Sequence, residues 1–223
     1  MKKICITGIL VLLVFSNIVI AQEKQPPFWN DIQRFKQRDS VSAPPKNAIL
    51  FIGSSSFTMW QKVQNDFPSY TIINRGFGGS TLLDQLRYLN DIVYPYKPKQ
   101  VVIYCGENDL AASDTVSGEE VARRFTTLFE LIRKKFPKAK ITYVSMKPSP
   151  SRHLLLGKMI TGNELIKKFL ASKKRTSYVD VYREMIDDEG KPRTDIFLKD
   201  NLHMNESGYA IWKRLIEPHL LKK

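Results

Sequence analysis

The chain has 223 residues, of which 43% are hydrophobic and 26% are charged, and its formal net charge is +13 at pH 7. This composition excludes an intrinsically disordered chain. Two cysteines are too few for a disulfide-stabilised scaffold. The length suits one domain of ordinary size that buries its own hydrophobic core.

The N-terminus has the pattern of a secretory signal peptide. Lys2 and Lys3 give it a positive start, residues 4–15 are mostly apolar, and the apolar character resumes at residues 18–20. Ala21 supplies the small residue expected at a cleavage site. We therefore expect an exported protein, either periplasmic or secreted.

An uncleaved membrane anchor is the alternative interpretation of this segment. Ser16 and Asn17 interrupt the apolar run, which is short for a spanning helix. We therefore expect residues 1–21 to be removed as a signal peptide. Residues 22–223 should then form a single domain without stable membrane insertion.

The excess positive charge lies partly in short clusters, at residues 134–135, 167–168 and 173–175. One interpretation is attraction to anionic cell-surface polymers or to nucleic acid. The interpretation that the sequence favours is solvated helix faces on a basic exported protein, because no nucleic-acid-binding motif accompanies the charge. We expect no nucleic acid partner.

Short apolar runs alternate with helical patterns along the chain. The runs suit strands buried on both faces, and they cover residues 48–52, 70–73, 100–105, 140–145 and 176–181. Helical spacing of apolar residues predicts helices over residues 80–93, 117–136, 158–172 and 205–221, with a shorter one over 28–37. Ser117 and Glu120 fit a capping box. The alternation predicts an α/β fold whose parallel sheet is covered on both faces, with ligands at the carboxyl ends of the strands.

A serine-rich turn follows the first predicted strand directly, in the order Gly53, Ser54, Ser55, Ser56. A serine on a tight turn between a strand and a helix is exposed at the edge of the sheet where ligands bind. Glycine and serine are also ordinary turn residues, so the turn alone is a weak indication of catalysis.

A serine nucleophile needs a base, which is most often histidine, and the chain contains three histidines. His153 lies in a loop after the fourth predicted strand, and His219 lies near the C-terminus. His203 follows Asp200 by three residues, just before the last predicted helix, so one turn of chain can bring the carboxylate to the imidazole. The alternative is a helix-capping aspartate beside an incidental surface histidine.

Two further loops offer hydrogen-bond donors for a developing oxyanion. Residues 74–81 follow the second predicted strand and are rich in glycine, which lets the backbone approach a ligand closely. Residues 106–109 follow the third strand and include Asn108, whose side-chain amide can donate. Each loop alone is an ordinary turn.

Taken together, the four segments resemble the SGNH hydrolases, also called GDSL-like lipases and esterases. The matching blocks are residues 51–56, 74–79, 106–109 and 200–203, and the resemblance runs from about residue 47 to residue 219. Within that family the chain looks closest to acylhydrolases similar to platelet-activating-factor acetylhydrolase subunits and lysophospholipase-like esterases. The resemblance implies a three-layer α/β/α sandwich with a five-stranded parallel sheet, the flavodoxin-like SGNH hydrolase fold.

The resemblance also implies a role for each site residue. Ser55 would be the nucleophile, His203 the general base and then acid, and Asp200 its partner. The backbone N–H groups of Ser55 and Gly79 and the side chain of Asn108 would form the oxyanion hole.

This sequence departs from the family pattern at Ser54, where the family has an aspartate that is not the triad acid. The departure leaves three adjacent serines, so Ser56 is an alternative nucleophile. Block alignment and the geometry expected of a strand-to-helix turn favour Ser55.

Other polar and aromatic residues receive weaker assignments. Arg75 and Arg152 lie on loops at the active edge. One interpretation is that they bind a substrate carboxylate or phosphate, and the alternative is that they form structural hydrogen bonds. Trp60, Phe77 and Tyr209 could line an acyl or leaving-group pocket, although aromatic residues are more often core.

The sequence implies no metal and no cofactor, because no ligand cluster has metal-binding spacing and no phosphate-binding glycine loop is present. The expected activity is hydrolysis of a carboxylic ester, with a small acyl group such as acetyl on a carbohydrate or lipid-like molecule. An acyl transferase using the same acyl-enzyme is one alternative, and a non-catalytic surface-binding protein on this scaffold is another.

Overall fold

The computed structural model describes residues 25–222, so the predicted signal peptide lies outside the described residues. Within this range five strands form one sheet, with every neighbouring pair parallel and in the order β2–β1–β3–β4–β5. The strands are β1 (Ile49–Gly53), β2 (Ile72–Gly76), β3 (Gln100–Tyr104), β4 (Lys140–Val144) and β5 (Thr176–Val179). This is the flavodoxin-like order, and it confirms the predicted fold class.

Helices connect the strands and cover both faces of the sheet. They are α1 (Trp29–Val41), α2 (Ser55–Thr58), α3 (Val63–Asp66), α4 (Leu82–Arg87), α5 (Leu89–Ile92), α6 (Glu107–Ala112), α7 (Gly118–Lys135), α8 (Leu156–Ala171) and α9 (Glu206–Ile216). Short 3-10 helices lie at Tyr94–Tyr96, Pro150–Leu155, Arg183–Met185 and Glu217–His219.

Alternate side chains of each strand feed two separate hydrophobic cores. In β1, Leu50 and Ile52 join one core with residues of α1, α4, α5, α7 and α8. Ile49 and Phe51 point the other way and join residues of α2, α3 and α9. All four side chains are fully buried, and such burial contributes about 1.5–3 kcal/mol for each. The sheet is therefore the middle layer of an α/β/α sandwich.

Two predicted helices differ from those observed. The helix expected over residues 80–93 is divided into α4 and α5 at Tyr88, whose backbone leaves helical geometry (φ −100°, ψ 14°). The Tyr88 ring is buried against Phe77, and its hydroxyl donates to the Pro27 carbonyl at 2.6 Å. The last helix stops at Ile216 rather than 221, because Pro218 cannot continue an α-helix.

The capping box expected at the start of α7 is only half formed. Ser117 Oγ accepts a hydrogen bond from the Glu120 backbone N–H at 3.3 Å. The Glu120 carboxylate does not return this contact and instead accepts from Arg123 and Arg124.

The strand order determines where a site can form. The connection after β1 goes to β2 on one side, whereas β3 lies on the other side of β1, so the loops that follow β1 and β3 diverge. Ligands of open parallel sheets bind in the crevice at such a point. The loop after β1 carries Ser55 and the loop after β3 carries Asn108.

Gly53 makes this junction possible. Its φ of +141° is strongly disfavoured for other residues, and a Cβ built on it would lie 1.8 Å from the Tyr104 carbonyl oxygen on β3. The chain can therefore turn out of β1 against β3 only at a residue without a side chain.

We predict that Gly53→Ala destabilises the fold by about 3 kcal/mol or more, because the new methyl group meets backbone and the φ is strained. Urea denaturation measures the loss. Gly157→Ala is the matched control, since Gly157 lies in α8 and a Cβ built on it would meet nothing within 4 Å. The control should be neutral or more stable by about 0.5–1 kcal/mol. Equal stability of Gly53→Ala and wild type would contradict this account.

None of the helices within residues 25–222 combines the length and apolar character needed to cross a bilayer.

Candidate active site

The serine turn lies at the carboxyl edge of the sheet, as predicted. Ser54 donates its backbone N–H to the Tyr104 carbonyl at 3.0 Å, which holds the turn against β3. Ser55 is the first residue of α2 and is half-buried, whereas Ser54 and Ser56 are only 4% and 2% exposed. Ser55 is therefore the most accessible of the three serines.

Asp200 and His203 form the expected pair. The Asp200 Oδ2 atom lies 2.7 Å from His203 Nδ1, and Asp200 Oδ1 accepts the backbone N–H groups of Leu202 and His203 at 3.0 Å each. These bonds, the His203 backbone contact above all, lower the pKa of Asp200 to about 2. The carboxylate is therefore ionised and can only accept hydrogen bonds.

This geometry fixes the tautomer of neutral His203. Because Asp200 can only accept, His203 Nδ1 must carry a proton, and Nε2 is left with a lone pair. A lone pair on Nε2 is what a general base requires.

The other two histidines are placed elsewhere. The His153 ring nitrogen Nδ1 lies 3.2 Å from the Pro150 carbonyl in an exposed 3-10 helix. The His219 carbonyl accepts from Lys140 and Gln100, which begin β4 and β3. His219 thus lies at the amino edge of the sheet, opposite Ser55.

Gly79 adopts a φ of +81°, which favours glycine, in the loop after β2. Its neighbour Gly78 approaches the nucleophile turn closely, since a Cβ built there would lie 3.8 Å from the Ser55 Cβ. The loop therefore brings backbone amides to the vicinity of Ser55.

Asn108 connects the loop after β3 to the loops after β1, β2 and β4. Its side-chain amide donates to Ser54 Oγ at 2.6 Å and to the Ser80 carbonyl at 3.0 Å. Its oxygen accepts from Arg152 at 2.8 Å. Both amide N–H groups are engaged, so a role in stabilising an oxyanion requires one of these bonds to be exchanged for the substrate.

A buried charged cluster lies behind Asn108. The Glu107 carboxylate accepts from Lys147 Nζ at 2.9 and 3.2 Å, from Ser149 Oγ at 3.0 Å and from the Tyr104 hydroxyl. Arg152 also approaches it, at 3.5 Å. Burial alone would raise the pKa of Glu107, but the positive charges of Lys147 and Arg152 outweigh it, and the net pKa is lowered.

The cluster was not found from the sequence, although one signal was available. In the sequence, Lys147 closely follows an apolar strand at the edge where ligands bind. The structure shows its side chain to be only 2% exposed, and a buried lysine requires an anionic partner. The partner, Glu107, is 40 residues away and could not be identified from spacing.

The structure separates the two arginines that were considered as substrate ligands. Arg152 lies in the small pocket that Ser55 lines. Arg75 does not: its guanidinium donates to Asp39, to the Tyr96 hydroxyl and to the Asn74 carbonyl, and it lies over the rings of Phe35 and Tyr96. Because these contacts use all of its nitrogens, Arg75 attaches α1 to β2 and is omitted from the proposed site.

Two cavities of different size adjoin the site. The pocket beside Ser55 has a volume of only about 10 Å³, and Asn108, Arg152 and Leu202 also line it. A wider groove of about 570 Å³ lies between residues 59–66, which follow α2, and α9, and it is lined partly by Met59, Lys62, Leu198, Met204 and Tyr209. Of the aromatic residues singled out above, Trp60 and Tyr209 line this groove, and Phe77 is core.

Cys105, the free cysteine of the described range, is buried at the end of β3. Burial raises the pKa of its thiol, which suits a small apolar core residue better than a nucleophile. In residues 25–222 no group of three or more potential ligands could hold a metal ion.

Comparison with known proteins identifies the family. Residues 39–211 match the GDSL-like Lipase/Acylhydrolase family. Platelet-activating factor acetylhydrolase IB subunit alpha2 of Homo sapiens is 28% identical over 172 residues, which cover 73% of this chain and 71% of the human protein. The rat protein of the same name has the same identity and coverage.

Solved structures show the same fold. A GDSL-like lipase from Bacteroides thetaiotaomicron superposes with a TM-score of 0.70 at 21% identity, covering 84% of this chain and 96% of that one. A catalytic mutant of an acetylxylan esterase from Geobacillus stearothermophilus gives 0.62 at 17% identity, with coverage of 80% and 96%.

The fold and the family match together define a hydrolase that acts on ester bonds. The chain belongs to the GDSL-like lipase/acylhydrolase family. The resemblance noted in the sequence is thereby confirmed, as is the expectation of an enzyme.

We predict that Glu107→Gln destabilises the protein by about 3–5 kcal/mol at pH 7, because it leaves the buried Lys147 charge without its partner. Since the pKa of Glu107 is lowered on folding, its charge stabilises the fold above its unfolded pKa of about 4.3. That contribution is lost as the pH falls through the lowered folded pKa, so the difference from wild type should shrink in acid.

Urea denaturation at pH 7 and at about pH 3 tests this, with the exposed Glu164→Gln as the matched control. The double variant Glu107→Gln/Lys147→Met should recover part of the loss. A difference from wild type that is the same at both pH values would contradict the prediction.

Proposed function

We propose that this protein is an exported serine esterase that hydrolyses small acyl esters through an acyl-enzyme on Ser55. The observation that carries the proposal is the Asp200–His203 pair at 2.7 Å, on a loop whose Leu202 lines the same pocket as Ser55. Serine, base and orienting carboxylate are the three parts that acyl transfer to a hydroxyl requires.

In the proposed mechanism Ser55 Oγ forms a bond to the ester carbonyl carbon as its proton passes to His203 Nε2. The resulting oxyanion is stabilised by the backbone N–H groups of Ser55 and Gly79 and by Asn108. Collapse breaks the bond to the leaving alkoxide, which takes the proton from His203. Water then attacks the acyl carbon while His203 accepts its proton. The bond from the acyl carbon to Ser55 Oγ breaks, Oγ takes the proton from His203, and the carboxylic acid is released.

The size of the pockets supports a small acyl group. The pocket beside Ser55 has room for about one water-sized group, so it leaves no space for a long acyl chain. The wider groove between residues 59–66 and α9 then suits the larger alcohol part of the substrate, a carbohydrate or a lipid-like molecule. The human relative named as an acetylhydrolase is consistent with acetyl as the acyl group.

We predict that Ser55→Ala lowers kcat for p-nitrophenyl acetate by at least about 1,000-fold, because no other group replaces the attacking oxygen. Ser56→Ala is the matched control and should retain activity within about tenfold, since its side chain is buried. A stopped-flow assay of the folded variants measures both. Loss of activity in Ser56→Ala alone would place the nucleophile one residue later.

We predict that Asp200→Asn lowers kcat by about 10³–10⁴-fold with little change in fold. An asparagine amide can donate to His203 Nδ1 and so stabilise the wrong tautomer, leaving Nε2 protonated. Asp195→Asn, an exposed aspartate on the same loop, is the control. If Asp200→Asn retained more than about a tenth of the wild-type activity, Asp200 would not orient the base.

Export is tested by expressing the full chain in a bacterial host and sequencing the N-terminus of the exported protein. We expect the mature chain to begin at Gln22. Leu13→Arg should block export, because a charge interrupts the apolar run, whereas Leu13→Ile should not. A cytoplasmic, uncleaved wild-type chain would refute the proposed localisation.

A further inference from the structure

The loops that lead into the five strands contain no acidic residue. They cover residues 42–48, 67–71, 93–99, 136–139 and 172–175. The same loops contain seven lysines and arginines: Lys46, Lys97, Lys99, Lys138, Lys173, Lys174 and Arg175. All five loops lie at the amino edge of the sheet, because the strands are parallel.

Parallel pairing sets three of the cationic residues side by side. The Lys140 backbone N–H donates to the Lys99 carbonyl at 3.0 Å, and the Ile141 N–H donates to the Arg175 carbonyl at 3.0 Å. Lys99 and Arg175 directly precede β3 and β5, and Lys140 begins β4 between them. Neighbouring strands of a sheet lie about 4.8 Å apart. The sheet itself thus lines up a row of positive charge.

The end of α7 adds to this row. Lys134 and Lys135 are exposed in its last turn. Arg133 donates to the carbonyls of Lys174 and Arg175, which ties the helix end to the loop before β5. The pKa of Arg133 is lowered, mainly by burial and secondly by the positive charge of Arg175. The second cause is consistent with like charges lying close together here.

Few of these charges are neutralised within residues 25–222. Among the loop cations, Lys173 pairs with Glu130 at 3.0 Å. Lys99 and Lys140 donate to the backbone carbonyls of Lys222 and His219, and within residues 25–222 neither forms an ion pair. We call this surface, formed by the seven loop cations with Lys134, Lys135 and Lys140, the basic edge.

The surroundings of the basic edge favour a polymer over a membrane or a nucleic acid. No large hydrophobic side chain within the five loops is highly exposed. Val41, which directly precedes the first loop, is 84% exposed, but one apolar side chain is too little for insertion into lipid. The Tyr94 ring, which could stack on a base, lies under Lys135 and against Phe136. The proposed export also places the protein among cell-surface polymers.

We propose that the basic edge binds an anionic polysaccharide and holds the enzyme on it with the catalytic edge facing away. Ser55 and His203 lie at the carboxyl ends of the strands, which form the edge of the sheet opposite the basic edge. The bound anion is therefore a tether and not the ester being cleaved. The choice of a polysaccharide as the ligand depends on the proposed export. The description of the basic edge does not depend on it.

Binding is measured with fluorescent polygalacturonate and heparin at several salt concentrations, using the mature chain. The test variant changes Lys134, Lys138, Lys174 and Arg175 to Gln, all of which are exposed. The matched control changes four exposed cations elsewhere to Gln, namely Arg34, Arg38, Arg183 and Lys191. Hydrolysis of p-nitrophenyl acetate, measured on the same samples, checks the esterase proposal separately.

We expect salt-sensitive binding that weakens at least tenfold in the test variant and less than threefold in the control, with hydrolysis unchanged in both. The slope of log Kd against log salt should also fall in the test variant, because fewer counterions are released. Equal weakening in the two variants would mean that net charge alone binds the polymer, and would overturn the proposal. Tighter binding to phosphatidylglycerol vesicles or to DNA than to either polysaccharide would overturn it as well.

Discussion

The parallel pairing of β1 with β3 is the constraint on which the site depends. Gly53 lies against Tyr104 in this register, at a distance that admits no side chain, and the turn that follows is held by Ser54 N–H on the Tyr104 carbonyl. Because the chain leaves these two strands in opposite directions, a crevice opens between the loops that carry Ser55 and Asn108. The topology of the sheet therefore determines where the proposed catalytic residues lie.

The loops are then fixed by buried polar contacts rather than by apolar packing. Glu107 and Lys147 neutralise each other within the protein, and Arg152 connects Glu107 to the amide oxygen of Asn108. A buried ion pair contributes little net stability, but removing one partner is costly, so such pairs fix the geometry of their surroundings. Ser54, at the position where the family resemblance places an aspartate, accepts a hydrogen bond from Asn108. This hydrogen bond links the charged cluster to the serine turn.

Much of the fold and part of the site could be predicted from the sequence. Short apolar runs located all five strands within a few residues, because strands buried on both faces leave uninterrupted apolar runs in the sequence. The Asp200–His203 pair was accessible for a similar reason, since its members lie three residues apart and their contact is local. The division of the helix at Tyr88 could not be predicted, because it depends on a contact with Pro27, far away in the chain. The structural role of Arg75 was hidden in the same way, since Asp39 approaches it only after α1 packs.

The central claim is that Ser55 is the residue that becomes acylated. It is tested most directly by treating the active enzyme with diisopropyl fluorophosphate and locating the modified residue by peptide mass spectrometry. We predict a single modification on Ser55, which proceeds in step with the loss of p-nitrophenyl acetate hydrolysis and is much slower in His203→Ala. Modification of Ser54, Ser56 or any other residue in step with inactivation would contradict it, as would an enzyme that hydrolyses the ester and yet resists the reagent.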